Sequence, residues 1–593
     1  LFQRGSHVGI GLLGTMGQCA GSSLKEDEEG CFHCVHSMYF PMYVVKVSDF
    51  LEMTGIPDAH GSLQLQGLLH KWKPGMFVAF VSHQWLGITH PDPAGTHTCF
   101  LRKALREVLS GSVAVESDIV SQNRGANLHS VSAETRQQLA DGYLFFDWFA
   151  IPQITSRLPG VNEDVTRSEA AKAVQSIPAY VEASDLFIAL VPEVKHQDRG
   201  SYCNYTSWLQ RGWCRAELWC RLLSNKRETH VILLHSTKDV RFMFPLDWQL
   251  NTIVDGQFTV EEDRLVVAKL GEVAVDAKIQ SLKEQGAICV FRWFVANRAR
   301  LLGHARQNSD VDGFLKKFDF ANWDAAVFGD HSRLTGLLCA MFSCDNEMMR
   351  KLASCNADVD KKISGLSELG YYENQTLLMA AAKSKQSEDV LETIIQLRAD
   401  VHARSSNGSN AMFLARSPEQ VSVLFAARAD LHTRRGDMML QPLTGCATMA
   451  CTNTVQKLLE VRCDPHCDLQ IPIMFSRGNP YALENLRLLL TNHADPNSRA
   501  TVAGPSYTIS YNNSVKMSII GWERSSVWTQ YQATLIDCTP LHAAAYIGDL
   551  AITELLWEHG AEQKTNFVGM LPEEIASKKG YCHLMPFLST FHA

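Results

Sequence analysis

Gly212-Trp213-Cys214-Arg215-Ala216-Glu217-Leu218 is the stretch whose reading decides the fold of the first part of this chain. Three apolar runs lead up to it, at residues 77–83, 143–150 and 185–191, and a fourth follows at 230–234. Continuous apolar runs of this length suit strands buried on both faces, as in a parallel sheet. Helical periodicity lies between them, at 99–109, at 169–183 and at 208–224, the last carrying the stretch itself. Pro178 kinks the second of these or begins a new helix. Residues 111–140 read as a polar, weakly structured insertion. Strands alternating with helices predict an α/β domain with a parallel, doubly wound sheet over residues 77–236.

The 593 residues suffice for about four domains. An apolar fraction of 46% and a net charge of -8 fit a globular chain without a basic footprint, so nucleic acid is not an expected partner. No stretch reaches the roughly 18 apolar residues of a transmembrane helix. The 17 cysteines have no framework spacing, which suits reduced thiols and a cytoplasmic protein. Residues 1–76 read as a leader and extension. Residues 8–15 form a short apolar run with a thin basic flank, too weak for a signal peptide. If Met16 is the start, Gly17 and Cys19 are placed for myristoylation and palmitoylation, and two acyl chains would hold the protein at a membrane. The plain alternative is a disordered leader. Cys31-Phe32-His33-Cys34-Val35-His36 resembles half a zinc site, but no second pair completes four ligands, so no metal is expected.

On the 208–224 helix, Trp213, Glu217 and Arg221 share one stripe, while Cys214, Leu218 and Leu222 form the apolar one beside it. Spacing alone pairs Glu217 with Arg221 at i, i+4. Ser82, His83 and Trp85 follow the first strand and Asp147 ends the second, the position where open α/β sheets bind ligands. A lone His at a strand end, as His83 is, is more often a hydrogen-bonded structural residue than a base. Cys214, on the apolar stripe, reads as core rather than nucleophile.

These blocks carry a resemblance. Phe80-Val81-Ser82-His83, Phe145-Phe146-Asp147, Ala183-Ser184-Asp185-Leu186-Phe187-Ile188-Ala189-Leu190 and Trp213-Cys214-Arg215-Ala216-Glu217-Leu218 resemble Toll/interleukin-1 receptor (TIR) domains. They also resemble the fungal heterokaryon-incompatibility (HET) domain, through Ser82-His83-Gln84-Trp85-Leu86-Gly87, Asp147-Trp148-Phe149-Ala150-Ile151-Pro152-Gln153 and Arg211-Gly212-Trp213-Cys214-Arg215-Ala216-Glu217. Ala150 stands where that family usually has Cys, and the loops are longer than in compact TIR domains. The resemblance implies a flavodoxin-like, TIR-type sheet. It aligns Glu217 with the glutamate of TIR domains that hydrolyse NAD, with Trp213 as an aromatic wall and Ser82, His83, Trp85 and Asp147 lining the cleft. NAD would then be a substrate, with no cofactor required. A carboxylate there would stabilise the positive charge that builds on the ribose as the nicotinamide bond breaks. Many TIR domains only self-associate, so a structural or interface role for Glu217 stands beside the catalytic one.

Residues 237–331 read as a helical connector, with helices at 261–285 and 296–305 and a turn, hairpin-like in composition, at Asp255-Gly256-Gln257-Phe258. Residues 332–593 read as a repeat array. Thr539-Pro540-Leu541-His542-Ala543-Ala544-Ala545 is similar to the ankyrin repeat: Thr caps a helix, Pro fits its first turn, and small residues let helices approach. Ala or Cys followed by Asp or Glu recurs at Ala357, Ala399, Ala429, Cys463, Ala494 and Ala561. The steps lie near the roughly 33 residues of one unit, except the last, which is about twice as long. Its surplus lies at 501–536, where the alternation at 507–520 predicts a β-hairpin. Six or seven repeats are expected, an all-α solenoid with a long concave face for a protein partner. The whole predicts a signalling or defence-type effector regulated through its repeats, with a non-enzymatic adaptor or scaffold as the alternative.

Overall fold

The structure is a computed structural model that describes residues 37–589 except 125–128, 227–228, 245–246, 251, 307, 435 and 437–438. The acylation positions Gly17 and Cys19, the 8–15 run and the Cys31–Cys34 pair lie outside the described residues.

Strands β1 (Tyr43–Lys46), β2 (His70–Lys71), β3 (Val78–His83), β4 (Tyr143–Phe146), β5 (Leu186–Leu190), β8 (Val231–Leu234) and β9 (Val240–Phe242) form one seven-stranded sheet, in the order β2-β1-β4-β3-β5-β8-β9. A separate ribbon pairs β6 (Val194–Lys195) with β7 (Tyr202–Cys203). The four central strands, β4, β3, β5 and β8, are parallel. All side chains of β3 and β8 are buried, which is why these segments read as unbroken apolar runs. The flanking strands β1, β2 and β9 are antiparallel. The sheet is therefore mixed at its edges and reaches beyond residues 77–236 on both sides. Phe80 stacks between Phe145 and Phe187 on the neighbouring strands, with centroids 4.7 and 5.4 Å away.

Two local expectations change, and at Pro178 the second of the two stated alternatives holds. Residues 111–140 carry helices Ile119–Arg124 and Ala133–Ala140, the second capped by the Ser132 side chain. Near Pro178 a helix ends at Gln175 and a new one starts at Ile177, placing the proline in a first turn where it displaces no hydrogen bond. The 208–224 helix is two helices, Tyr205–Gln210 and Gly212–Leu223, broken by extended backbone at Arg211. The cause is a strand-like contact with the connector. Gly212 N–H donates to Gln257 O at 3.0 Å and Gln257 N–H donates to Gln210 O at 2.6 Å. A Cβ on Gly212 would lie 2.0 Å from the Phe258 ring, so only glycine fits. The same contact replaces the hairpin expected at Asp255–Phe258, a range here occupied by the end of a single turn, Ile253–Asp255.

Connector helix Asp263–Glu284 packs on Gly212–Leu223, and Ile288–Leu302 packs on the first helix of the array. The array comprises seven helix pairs among the described residues, counting one 3-10 turn. Their first members are Gly336–Phe342, Leu377–Lys383, Met412–Leu414, Pro442–Met449, Gln470–Met474, Pro540–Ile547 and Pro572–Lys578. The recurring Ala/Cys is the mark of the end of each of the first six units. A left-handed residue precedes it, at Asn356, Arg398, Arg428, Arg462, His493 and Gly560. The Ala or Cys N–H then bonds back five residues, as in Ala399 to Ile394 O and Cys463 to Leu458 O, which closes the helix C-terminus. The following Asp turns the chain by accepting from the backbone N–H two residues on, as Asp400 does from His402 at 2.9 Å.

The 501–536 insertion is not a β-hairpin. Helix Gly504–Ile520 packs antiparallel-hairpin fashion against Val527–Leu535. Its alternating Tyr507, Ile509 and Tyr511 are exposed, while small residues face inward: Ser510 donates to Gln532 Oε1 at 2.7 Å and Ser514 to Ala533 O at 3.2 Å. The repeats on either side still stack directly, with Gln470 Nε2 donating to Cys538 O at 2.9 Å.

Candidate functional site

The blocks that are far apart in sequence meet at the carboxyl ends of β3 and β4. Ser82, fully buried on β3, donates its hydroxyl to Glu217 Oε2 at 2.5 Å. The Ser82 hydroxyl oxygen in turn accepts from Trp208 Nε1 at 3.0 Å. Next along β3, His83 Nε2 meets Asp147 Oδ1 at 2.8 Å, and Trp85 Nε1 donates to Asp147 Oδ2 at 2.9 Å. His83 Nδ1 meets Gln84 O at 3.1 Å, and its ring stacks on Phe146 at 4.2 Å. The expected pairing of Glu217 with Arg221 is not formed. Arg221 donates to the carbonyls of Ser184 and Asp185 at 3.0 and 2.8 Å, fastening the helix to the start of β5, and Glu217 turns to Ser82 instead.

Burial makes the two carboxyls of the site differ. Desolvation pushes the Glu217 carboxyl up to about 8; Asp147 adds to this, while the Ser82 hydrogen bond and His83 oppose it. The residue keeps part of its surface at solvent, but near neutral pH its carboxyl holds a proton. Asp147 goes the other way. Burial would raise it, yet the charge and hydrogen bond of His83 and the donors Trp85 and Trp148 N–H hold it below the ordinary carboxylate range. For His83 burial opposes the charge, and Asp147 outweighs it, so its pKa is raised. Both His83 nitrogens face acceptors, as an imidazolium requires. The site thus sets a His83 whose pKa is raised against an Asp147 whose pKa is lowered, beside a Glu217 carboxyl pushed up to about 8. Asp147 keeps 30% of its side chain at solvent, and Trp85 is half-buried, so this corner faces outward.

Trp213 stands apart from that corner. Its indole donates to Asp263 Oδ2 on the connector at 2.9 Å, so it ties the helix to its neighbour. The Cys214 thiol is buried, hydrogen-bonds to His83 O at 3.7 Å and is held well above its ordinary pKa by desolvation, the state of a core thiol. Trp208, Ser207 and Gln84 were not singled out by sequence. Ser207 donates to Gln84 Oε1 at 2.6 Å, behind the Ser82–Glu217 bond. Among the described residues no group of three or more His, Cys, Asp or Glu is placed to hold a metal ion. No described helix is long and apolar enough to cross a membrane.

Comparison with known proteins places the repeats. The ankyrin repeat family model matches residues 537–566, the unit that carries Thr539-Pro540-Leu541-His542. There Thr539 and His542 close a capping box at the start of helix Pro540–Ile547. No curated protein matches the chain. Among solved structures, the ankyrin repeat domain of Bcl-3, described as a unique member of the IkappaB protein family, is 20% identical. The match covers 44% of this chain and 99% of that one, with a TM-score of 0.28. The human ASB11 ankyrin repeat domain is 16% identical, over 41% of this chain and 91% of that one, also with a TM-score of 0.28. The unit at residues 537–566 is thus an ankyrin repeat, a fold that in arrays offers extended surfaces to partner proteins.

Proposed function

We propose that this is an ankyrin-repeat protein whose N-terminal α/β domain is a TIR/HET-like effector, and that the effector cleaves NAD at the nicotinamide–ribose bond. The carrying observation is the convergence of Ser82, His83, Trp85, Asp147 and Glu217 at the strand ends, in two adjoining hydrogen-bonded groups, Ser82 with Glu217 and Asp147 with His83 and Trp85. The HET-type blocks supply all five. The four parallel strands run 2-1-3-4 in space, the order with which flavodoxin-like sheets begin. We place the effector at residues 43–242, the span of its sheet, the connector from there to 331, and the array beyond.

Two carboxyls with opposed protonation are the usual sign of divided acid–base roles. In hydrolysis the ribose–nicotinamide bond breaks, nicotinamide leaves with the electron pair, and water adds to the ribose carbon and releases a proton. Glu217, once ionised in an opened and hydrated site, lies where it would stabilise the ribose cation or take that proton. The Asp147–His83 pair would orient the substrate's hydroxyls and phosphates at the outward corner.

A non-enzymatic adaptor is the second reading, and one observation favours it. Ser82, Trp208 and Glu217 satisfy one another's hydrogen bonds, leaving the carboxyl engaged. In that case the α/β domain makes protein contacts only and self-associates, and the array supplies the partner. Mass spectrometry of NAD incubated with the full chain separates the two. Equimolar nicotinamide and ADP-ribose support the effector; intact NAD at every protein concentration supports the adaptor.

A further inference from the structure

The array does not hang free of the α/β domain. Its first helix is joined to that domain through the connector, and its last repeats return to the same domain on the side of β8 and β9. The return contact is centred on Asp239, fully buried in the turn between those strands. Lys579 Nζ lies 3.1 Å from Asp239 Oδ1, Arg241 donates to Oδ2 at 2.7 Å, and the Tyr581 hydroxyl donates to Oδ2. Ser236 donates to Lys579 O, and Arg477 donates to the Tyr581 hydroxyl at 3.2 Å. Lys579 and Asp239 have almost no exposed surface, so this is a buried ion pair between domains. The Asp239 carboxylate is thus held from its own domain by Arg241 and from the array by Lys579 and Tyr581, so removing Lys579 takes away a bond between the domains while Arg241 still compensates the charge.

One element touches both this contact and the site. Helix Tyr205–Gln210 packs against the array turn Ser476–Gly478, and Thr206 Oγ1 donates to Arg477 O at 3.0 Å. Its other face carries Trp208, which donates to Ser82, and Ser207, which donates to Gln84. The helix is six residues long, bounded by extended backbone at Asn204 and Arg211, and tied at its end by Gln257 N–H donating to Gln210 O. Arg477 therefore sits in the Asp239 contact and one hydrogen bond from a helix whose Trp208 caps the Ser82–Glu217 pair.

We propose that the last ankyrin repeats act as a latch on the α/β domain: docked at Asp239, they press helix Tyr205–Gln210 onto the site and keep Ser82 and Glu217 closed, and a partner that draws these repeats away opens it. The latch stands on the contacts alone; only its effect on turnover rests on the proposed activity. A closed site also explains why Glu217 holds its proton, since opening would return water to the carboxyl.

The test is hydrogen–deuterium exchange by mass spectrometry on the full chain, with substitutions on the array side. Lys579→Met removes the cation and keeps the stem; Tyr581→Phe removes one hydroxyl and leaves the packing. Each is expected to speed exchange several-fold in peptides spanning 205–223, while peptides spanning 377–396, in a distant repeat, stay as in the wild type. If 205–223 stays protected while peptides around 572–581 loosen, the latch is refuted. Should Lys579→Met unfold the chain, with every peptide exchanging, Tyr581→Phe decides by the same two outcomes. This readout does not involve NAD, so its failure and the failure of the enzymatic reading are distinct.

Discussion

Replacing Glu217 by Gln keeps the shape and the acceptor for Ser82 but removes the ionisation. The wild-type carboxyl is raised from 4.5 to about 8, chiefly by burial. The folded state therefore holds this proton more tightly than the unfolded chain does. Its contribution to stability is fullest below 4.5, falls as pH rises from 4.5 to 8, and is level above 8, where both states are ionised. The gap between these values, at about 1.4 kcal/mol per pH unit, sets a limit of about 5 kcal/mol. Partial solvent access of the residue and local relaxation reduce this to about 2 kcal/mol. Gln pays none of it. The difference in stability, variant minus wild type, should therefore grow by about 2 kcal/mol between pH ~5 and pH ~8. In thermal unfolding followed by circular dichroism, that is a widening of the Tm gap by about 4–8 °C. Groups that do not interact with Glu217 cancel in the difference, and of its neighbours His83 and Asp147 are coupled to it. A gap that does not change with pH, or that narrows, would refute the assignment of a buried, proton-bearing Glu217.

Two further substitutions probe the elements that position the site. Gly212→Ala forces a Cβ into the Phe258 ring, and should cost at least about 2 kcal/mol in denaturant unfolding; wild-type stability would contradict the close approach of the two segments. Trp208→Phe keeps the buried ring and deletes the donor to Ser82, which should cost about 1 kcal/mol and speed exchange in residues 205–217; an unchanged variant would show that the indole N–H does not hold the pair.

The parts of the fold that sequence reveals are those whose residues declare their surroundings locally. β3, β4, β5 and β8 are legible because a strand covered on both faces needs apolar side chains at every position. β1, β2 and β9 are four, two and three residues long, and no periodicity can show in so few. The unit ends of the array are legible because a small buried residue followed by an acid recurs at near-regular steps, while the left-handed residue before it varies in type and does not show. The insertion helix misleads because its buried face is made of Ser510, Ser514 and Met517, while its large apolar residues lie outside. At the site, Ser82, His83, Trp85 and Asp147 stand out as polar or indole-bearing residues just past apolar strands. Trp208 does not, because its partner is 126 residues away and only the fold joins them. Arg221 misleads in the opposite sense: spacing offers Glu217, but two backbone carbonyls at the start of β5 are nearer to hand.

The most direct test of the account is NAD consumption by the purified full chain at high protein concentration, wild type against Glu217→Ala, with Tyr581→Phe as the unlatched form. Turnover in the wild type, higher in Tyr581→Phe and lost in Glu217→Ala with its circular dichroism unchanged, is the predicted result. No turnover in either the wild type or Tyr581→Phe, or turnover that survives the loss of Glu217, would contradict it.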